Sequence, residues 1–262
     1  MQTYRRALIT GATGAIGGAF AHALPASTDL LLTGRNEDRL AEVAGRLQRP
    51  GRIVATIAAD LAEPAGVTAV AARADAFGID FLINNAGLGI LGRFLDKDIE
   101  SERQTVMVNV VAVTLLTRSL LPGMLERARG AGRRAGVFIV SSSAAFAPVP
   151  YFASYAASKT FDLHFAEALG EELRGEPIDV LALCPGAIRA ADDRHRGFDL
   201  GRIPGAADPA RVARDGLAAL GRDRVRIIGR VDQAALGPMV LPRRLVAAAV
   251  GTAMRFLVPE RR

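Results

Sequence analysis

Cysteine is nearly absent from this 262-residue chain. Cys184 stands alone, so no intrachain disulfide and no cysteine-built metal site can form. Lysine is almost as scarce: Lys97 and Lys159 are the two lysines among 33 basic residues. The three histidines, His22, His164 and His195, lie far apart with no ligand spacing, so no metal is expected. Long apolar runs are missing too. The longest, Leu245–Val258, is broken by Arg255 and falls short of the ~20 residues that span a bilayer. The apolar stretch within residues 1–10 is too short for a signal segment, so a cytoplasmic location is expected. No shift in composition marks a linker, and no repeat recurs along the chain.

Half of the residues are apolar and 23% are charged, which excludes disorder and collagen-like order. The length suffices for a full hydrophobic core. The net charge is +6 and the pI about 10.3, which raises nucleic acid as a partner. The arginines argue against it, because they are dispersed and meet only in pairs such as Arg133-Arg134, Arg243-Arg244 and Arg261-Arg262. A small anion, such as a dinucleotide phosphate, fits a positive protein equally well.

Short apolar runs alternate with helical stretches. Strands are predicted at Ala7–Thr10, Leu30–Thr33, Arg52–Ala58, Phe81–Asn84, Gly136–Ser142, Ile178–Cys184 and Arg224–Ile228. Helices are predicted over Ala15–Leu24, Glu37–Leu47 after an Asn36 cap, Glu63–Phe77, about 98–124, Tyr151–Leu173 and Pro209–Leu220 after an Asp208 cap. This alternation implies βαβ units in a single doubly wound α/β domain of Rossmann type, with a seven-stranded parallel sheet and helices on both faces. Residues 189–207 break the rhythm and read as a lid-like segment at the carboxyl edge of the sheet, where ligands bind in such folds.

Thr10-Gly11-Ala12-Thr13-Gly14-Ala15-Ile16-Gly17 follows the first strand and opens a helix. Glycines there let the backbone turn tightly and approach a pyrophosphate, and the helix N-terminus offers it free N–H groups. A ligand-free turn would also use glycine; the strand–turn–helix setting favours a dinucleotide. An acid at the end of the second strand would bind a ribose 2′-hydroxyl and favour NAD. The chain has Gly34-Arg35 there, and an arginine pairs with a 2′-phosphate. NADP(H) is therefore favoured, with NAD(H) the alternative if Arg35 merely faces water. Tyr155 and Lys159 share a helix face, where an ammonium stabilises a phenolate and prepares the tyrosine for general acid–base work. By spacing alone, a partly buried surface pair is the better reading.

With Ser141-Ser142-Ser143 after the fifth strand and Asn84-Asn85-Ala86-Gly87 after the fourth, these motifs resemble the short-chain dehydrogenase/reductase superfamily, in its single-domain branch. The likeness runs over roughly residues 5–230 and includes Asn109 in VNVVA, Asp60-Leu61 after the third strand and Pro185-Gly186 after the sixth. The resemblance implies that Tyr155 exchanges a proton with the substrate oxygen and that Lys159 assists it and holds the nicotinamide ribose. It implies that Ser142 donates to the carbonyl and that Asn109 anchors a relay water; a side chain satisfied by backbone is the plainer reading of Asn109. For the cofactor it implies Gly11, Thr13, Gly14, Ala15, Ile16 and Gly17 at the pyrophosphate and Arg35 at the 2′-phosphate. Asp60 and Leu61 would contact adenine. Asn85, Ala86 and Gly87 would lie along the cofactor, and Pro185, Gly186 and Ile188 at the carboxamide end. Three positions depart from the pattern: Ala15 replaces a glycine, Ala190 stands where a threonine is usual, and Gly14 stands where some NADP enzymes carry a second basic residue.

The implied activity is interconversion of a carbonyl and an alcohol on a small apolar substrate, since Phe146, Val149, Tyr151, Phe152 and Phe198 are the candidate pocket walls. A non-catalytic NADP(H) sensor is the alternative; the full set Asn109, Ser142, Tyr155 and Lys159 favours the enzyme. An epimerase would need a further substrate domain. Cys184 is expected to pack as a small apolar residue and His164 to lie at a surface or interface. His195 is a candidate substrate contact. A final helix is predicted from Pro242 to Phe256 within a tail 236–262, packed on the pocket or a partner subunit, or laid on a membrane surface. The helices near 98–124 and 153–173 carry apolar residues on more than one face: Val106, Val110, Val113 and Leu116, and Phe161, Phe165, Ala168 and Leu169. A second stripe predicts a homodimer or homotetramer.

Overall fold

The apolar runs become seven strands that all point the same way. The structure, a computed structural model, describes residues 4–189, 206–229 and 243–255. The elements are β1 (Arg6–Thr10), α1 (Ala15–Ala23), β2 (Asp29–Gly34), α2 (Glu37–Leu47), β3 (Val54–Ala58), α3 (Pro64–Phe77) and β4 (Phe81–Asn84). After β4 come α4 (Ile99–Val106), a π turn (Met107–Ala112), α5 (Val113–Ala131), β5 (Ala135–Val140), α6 (Ala153–Glu172) and β6 (Ile178–Pro185). Finally come α7 (Pro209–Ala219), β7 (Val225–Ile228) and α8 (Arg243–Arg255). The sheet order is β3-β2-β1-β4-β5-β6-β7, parallel throughout.

Side chains alternate across the sheet and so build two cores. Ala7 and Ile9 of β1, Phe81 and Ile83 of β4, and Phe138 of β5 face α1, α2 and α7. Leu8, Leu82, Val137 and Ile139 face α3, α5 and α6. Phe20, Phe81 and Phe138 are fully buried and meet at ring-centroid distances of 5.2–5.3 Å. Because every strand runs the same way, Thr10, Asn84, Val140 and Pro185 all end at one edge. The order reverses between β1 and β4, which opens the crevice where such sheets bind ligands.

Caps set the helix starts. The Asn36, Asp98 and Asp208 side chains accept from the N–H groups of Arg39, Ser101 and Ala210. Elsewhere the boundaries differ from the sequence expectation for local reasons. The third strand begins at Val54, two residues late, because Arg52 is buried with its guanidinium donating to the carbonyls of Thr28 (2.8 Å) and Ala21 (3.4 Å). The helix expected to end near 124 runs on to Ala131: Pro122 sits inside it without ending it, and termination waits for Gly132 at φ 59°. The fifth strand stops at Val140, where Ser142 caps a 3-10 turn over Ser143–Phe146. The helix expected from Tyr151 starts at Ala153, because Tyr151 sits at φ 67° in the left-handed region.

Most of the lid-like segment, with Ala190, His195 and Phe198, lies outside the described residues. Its two ends are tied together: Arg189 N donates to Ala207 O at 3.0 Å and Ala207 N to Ala187 O at 2.7 Å. The predicted Pro242 start and Phe256 end of the tail helix also lie outside them.

Candidate active site

The glycine turn is shaped for an anion. Gly11 takes φ +64°, and a side chain on it would stand 2.9 Å from Ala86 Cα. A Cβ on Gly17 would lie 2.3 Å from Gly11 O, so α1 packs directly on the turn. Gly14 caps α1 without any side-chain hydrogen bond, and no acid sits in the first turn. The N–H groups of Ala15, Ile16 and Gly17 therefore lack both intrahelical and capping partners, which fits a pyrophosphate. Ala15 is exposed, so the methyl that replaces a glycine there has room.

Thr10 ties this turn to the end of β4. Its Oγ1 accepts from Asn85 N and Ala86 N, both at 2.9 Å. The Asn85 amide donates to Thr10 O (2.9 Å) and Gly11 O (3.2 Å). Asn85 was expected to lie along the cofactor; instead its amide is committed to holding the glycine turn. Thr10 was not named as a site residue, although its hydroxyl joins the two motifs. Thr13 packs against Gly34, beside the exposed Arg35 at the end of β2.

Asp60 caps its own turn, accepting from Ala62 N at 2.9 Å. The side chains of Leu61 and Ile188 are buried, Leu61 in the core beneath α3 and Ile188 in the core beneath α7, so contact with a cofactor would fall to their main-chain groups. Pro185 ends β6, and Gly186 N donates to Ile228 O at 3.1 Å.

Asn109 is fully buried in the π turn and makes a two-way clamp on Leu88: Leu88 N donates to its Oδ1 and its Nδ2 donates to Leu88 O, each at 2.8 Å. Nδ2 also donates to Ser158 Oγ at 2.9 Å, and Ser158 Oγ to Tyr155 O at 2.7 Å. The side chain thus fastens the loop after β4 to the helix that carries Tyr155. Both Nδ2 protons are spent in this way, while Oδ1 keeps a second lone pair.

Tyr155 is half-buried. Its ring stacks on Phe152 with centroids 4.2 Å apart, and a Cβ on Gly89 would lie 2.5 Å from its edge, so the ring is held between the two. The Lys159 ammonium lies 5.9 Å from the Tyr155 ring centroid and donates to Val140 O at 2.8 Å and Asp162 Oδ2 at 2.9 Å. Gly87 approaches the ammonium from another side: a Cβ there would stand 3.5 Å from Nζ, an ordinary contact. Burial works against the charge on Lys159, but Asp162 and Tyr155 outweigh it and raise its pKa above the ordinary lysine value. Ser141 Oγ donates to Lys159 O at 2.7 Å, which places Ser142 beside this group, its own Oγ accepting from Ala144 N at 3.2 Å. Asp162 and Gly89 were not singled out in the sequence, and Phe152 was named only as a pocket wall. The signal for Asp162 was an acid on a helix stripe otherwise built of apolar and small residues.

Cys184 is buried, and burial pushes its thiol up to about 12, so it packs as an uncharged group as expected. His164 is exposed. A cavity of about 450 Å³ lies between α8 and residues Arg93, Phe94, Pro150 and Tyr151, four residues before the tyrosine.

A family model described as short chain dehydrogenase matches residues 5–197. The 1-deoxy-11-beta-hydroxypentalenate dehydrogenase of Streptomyces exfoliatus is 35% identical over 238 residues, covering 87% of this chain and 84% of that one. A short-chain dehydrogenase from Sphingobium yanoikuyae, solved in complex with NADPH, is 28% identical with a TM-score of 0.75, covering 91% of this chain and 96% of that one. One from Burkholderia phymatum, solved in complex with NAD, is 26% identical with a TM-score of 0.78, covering 90% and 92%.

Proposed function

The chain belongs to the short-chain dehydrogenase family and is an NAD(P)-dependent oxidoreductase of the alcohol–carbonyl pair, and from that premise we propose an NADP-dependent reductase of ketones or aldehydes with an apolar body. The observation that carries the reading is the joining of two motifs through one loop. Residues 85–89 bind the glycine turn through Asn85, carry the clamp of Asn109 and back the ring of Tyr155.

When bound, the cofactor supplies the hydride; the chain supplies position and a proton. The phenol of Tyr155 donates its proton to the carbonyl oxygen as hydride reaches the carbon. Ser142 donates a hydrogen bond to the same oxygen while charge develops on it. Lys159 offers its remaining N–H to the ribose and favours the phenolate left behind. The cavity beside Tyr151 has an apolar side of Phe94, Pro150 and the alanines of α8, which would take an apolar substrate body, and a polar side of Arg93 and Thr252. The test is oxidation of NADPH and of NADH against a panel of ketones and aldehydes. Turnover with no member of the panel in either direction would contradict the reading.

Arg35 supports NADP, because it is exposed at the end of β2 next to Thr13 and no acid stands there. Arg35→Ala is expected to remove a charged hydrogen bond and weaken NADPH about 10- to 100-fold, with NADH nearly unchanged. Calorimetric titration of both cofactors checks this. A parent that prefers NADH would favour the second reading, an NAD enzyme with Arg35 turned to water.

A homodimer or homotetramer is part of the same proposal. Val106, Leu115 and Phe161 are exposed on the outer face of the α4–α5 and α6 helices while Val113 and Leu116 fill the core. Phe161→Glu is the cleaner probe, since Phe165 packs partly against the core. Light scattering is expected to give a multiple of 27.6 kDa that falls in the variant. A parent at the monomer mass would refute it.

A further inference from the structure

The Lys159 ammonium has a buried carboxylate beside it that the reaction as described does not use. Asp162 lies one turn after Lys159 on α6 and is fully buried. Its Oδ2 accepts from Lys159 Nζ at 2.9 Å, and Oδ1 has no hydrogen-bond partner among the described residues. The helix positions around it, Leu163 and Ala166, belong to the apolar core. Removing a carboxylate from water costs several kcal/mol, and an apolar residue would pack here without that cost. The carboxylate therefore answers to the lysine, which chemistry requires at the same depth.

We propose that Asp162 is a positioning residue for the reaction: its carboxylate holds the Lys159 ammonium and balances its charge, so that Tyr155 is presented as a proton donor and not as a phenolate. The inference rests on the reading of Tyr155 as acid and base. Of the three N–H groups of Lys159, one is spent on Val140 O and one on Asp162, so these two partners fix where the third points. The titratable groups that act on the pair are Tyr155 on α6 and Cys184 on β6, and Glu167 on α6 acts on Cys184 behind them. β5 and the π turn face it with the Val140 carbonyl, Ser141 and Asn109, which do not titrate in water. With Asp162 ionised, the trio Asp162, Lys159 and Tyr155 is neutral before the phenol proton leaves. Without the carboxylate the trio carries one positive charge, so its first proton leaves at lower pH whichever group releases it.

The experiment is the pH profile of alcohol oxidation for the parent, Asp162→Leu, Asp162→Asn and Asp162→Glu. The acid limb is expected to move down by about one pH unit or more in the Leu and Asn variants and to stay near the parent in Asp162→Glu. An unmoved limb in an active Leu or Asn variant overturns the proposal. A side chain that merely fills space would change stability and leave the limb in place. If neither variant folds, the parent itself decides, because the chain has only two lysines. Protein labelled with ¹⁵N-lysine, assigned with Lys97→Arg, is expected to show a slowly exchanging Lys159 ammonium that keeps its charge beyond pH 9. Loss of that charge below pH 9 overturns the proposal. If the parent turns over no substrate, the reading of Tyr155 fails, and the ammonium signal still tests the Lys159–Asp162 pair.

Discussion

Tyr155→Phe is expected to lower carbonyl reduction by about 10²- to 10⁴-fold while NADPH binds as tightly as before. In the proposed reaction the phenol gives its proton to the substrate, and removing its oxygen leaves the packing of the ring in place. The ring keeps its stack on Phe152 and its seat on Gly89. The carbonyl of residue 155 still accepts from Ser158, so the link to Asn109 survives. Single-turnover kinetics with a cofactor titration separates the two quantities. A variant that turns over near the parent rate removes Tyr155 from the chemistry, and one that loses cofactor and activity together makes the effect structural.

Gly17→Ala is expected to abolish dinucleotide binding and to destabilise the fold by about 1–3 kcal/mol. A methyl at that position would stand 2.3 Å from Gly11 O and 2.7 Å from Asn85 Nδ2. No flexible side-chain end can give way there, since Gly11 is backbone and the Asn85 amide is tied to Thr10 O and Gly11 O. Helix α1 must therefore lift off the turn whose N–H groups would hold the pyrophosphate. Gly14→Ala is the control, because its Cβ would stand 3.3 Å from Gly11 O, a contact a small shift relieves. Thermal melts with and without NADPH compare the two. Equal behaviour of the Gly17 and Gly14 variants would contradict the packing account.

The contrast between Ala15 and Gly17 shows where the sequence was legible. Both belong to a glycine pattern that could be read in the chain, yet only contact distances separate the exposed position that tolerates a methyl from the one that does not. The strands and their parallel order were legible because each strand is buried on both faces and reads as a short apolar run. Helix ends were less so. Pro122 and Gly123 look like a terminator, but Gly132 is the residue that takes the left-handed turn. The four residues of the proton-transfer group stood out through the family resemblance, not through the Tyr155–Lys159 spacing alone. What two of the named asparagines do was not legible, because they act on the backbone: Asn85 holds carbonyls of the glycine turn and Asn109 holds both polar groups of Leu88. Leu61 and Ile188 look like ligand contacts by position, and their side chains are claimed by the core. Asp162 looked like an ordinary helix acid until its burial and its single partner were visible.

The central claim is hydride transfer from a nicotinamide dinucleotide to a carbonyl carbon beside Tyr155. NADPH carrying deuterium on the transferring face, incubated with the parent protein and an accepted ketone, tests it most directly by mass and NMR of the product. The account predicts one deuterium on the carbinol carbon, on one face of the product alone, and none with Tyr155→Phe over the same time. Deuterium left in the cofactor while product accumulates, or product formed equally fast by Tyr155→Phe, would contradict it.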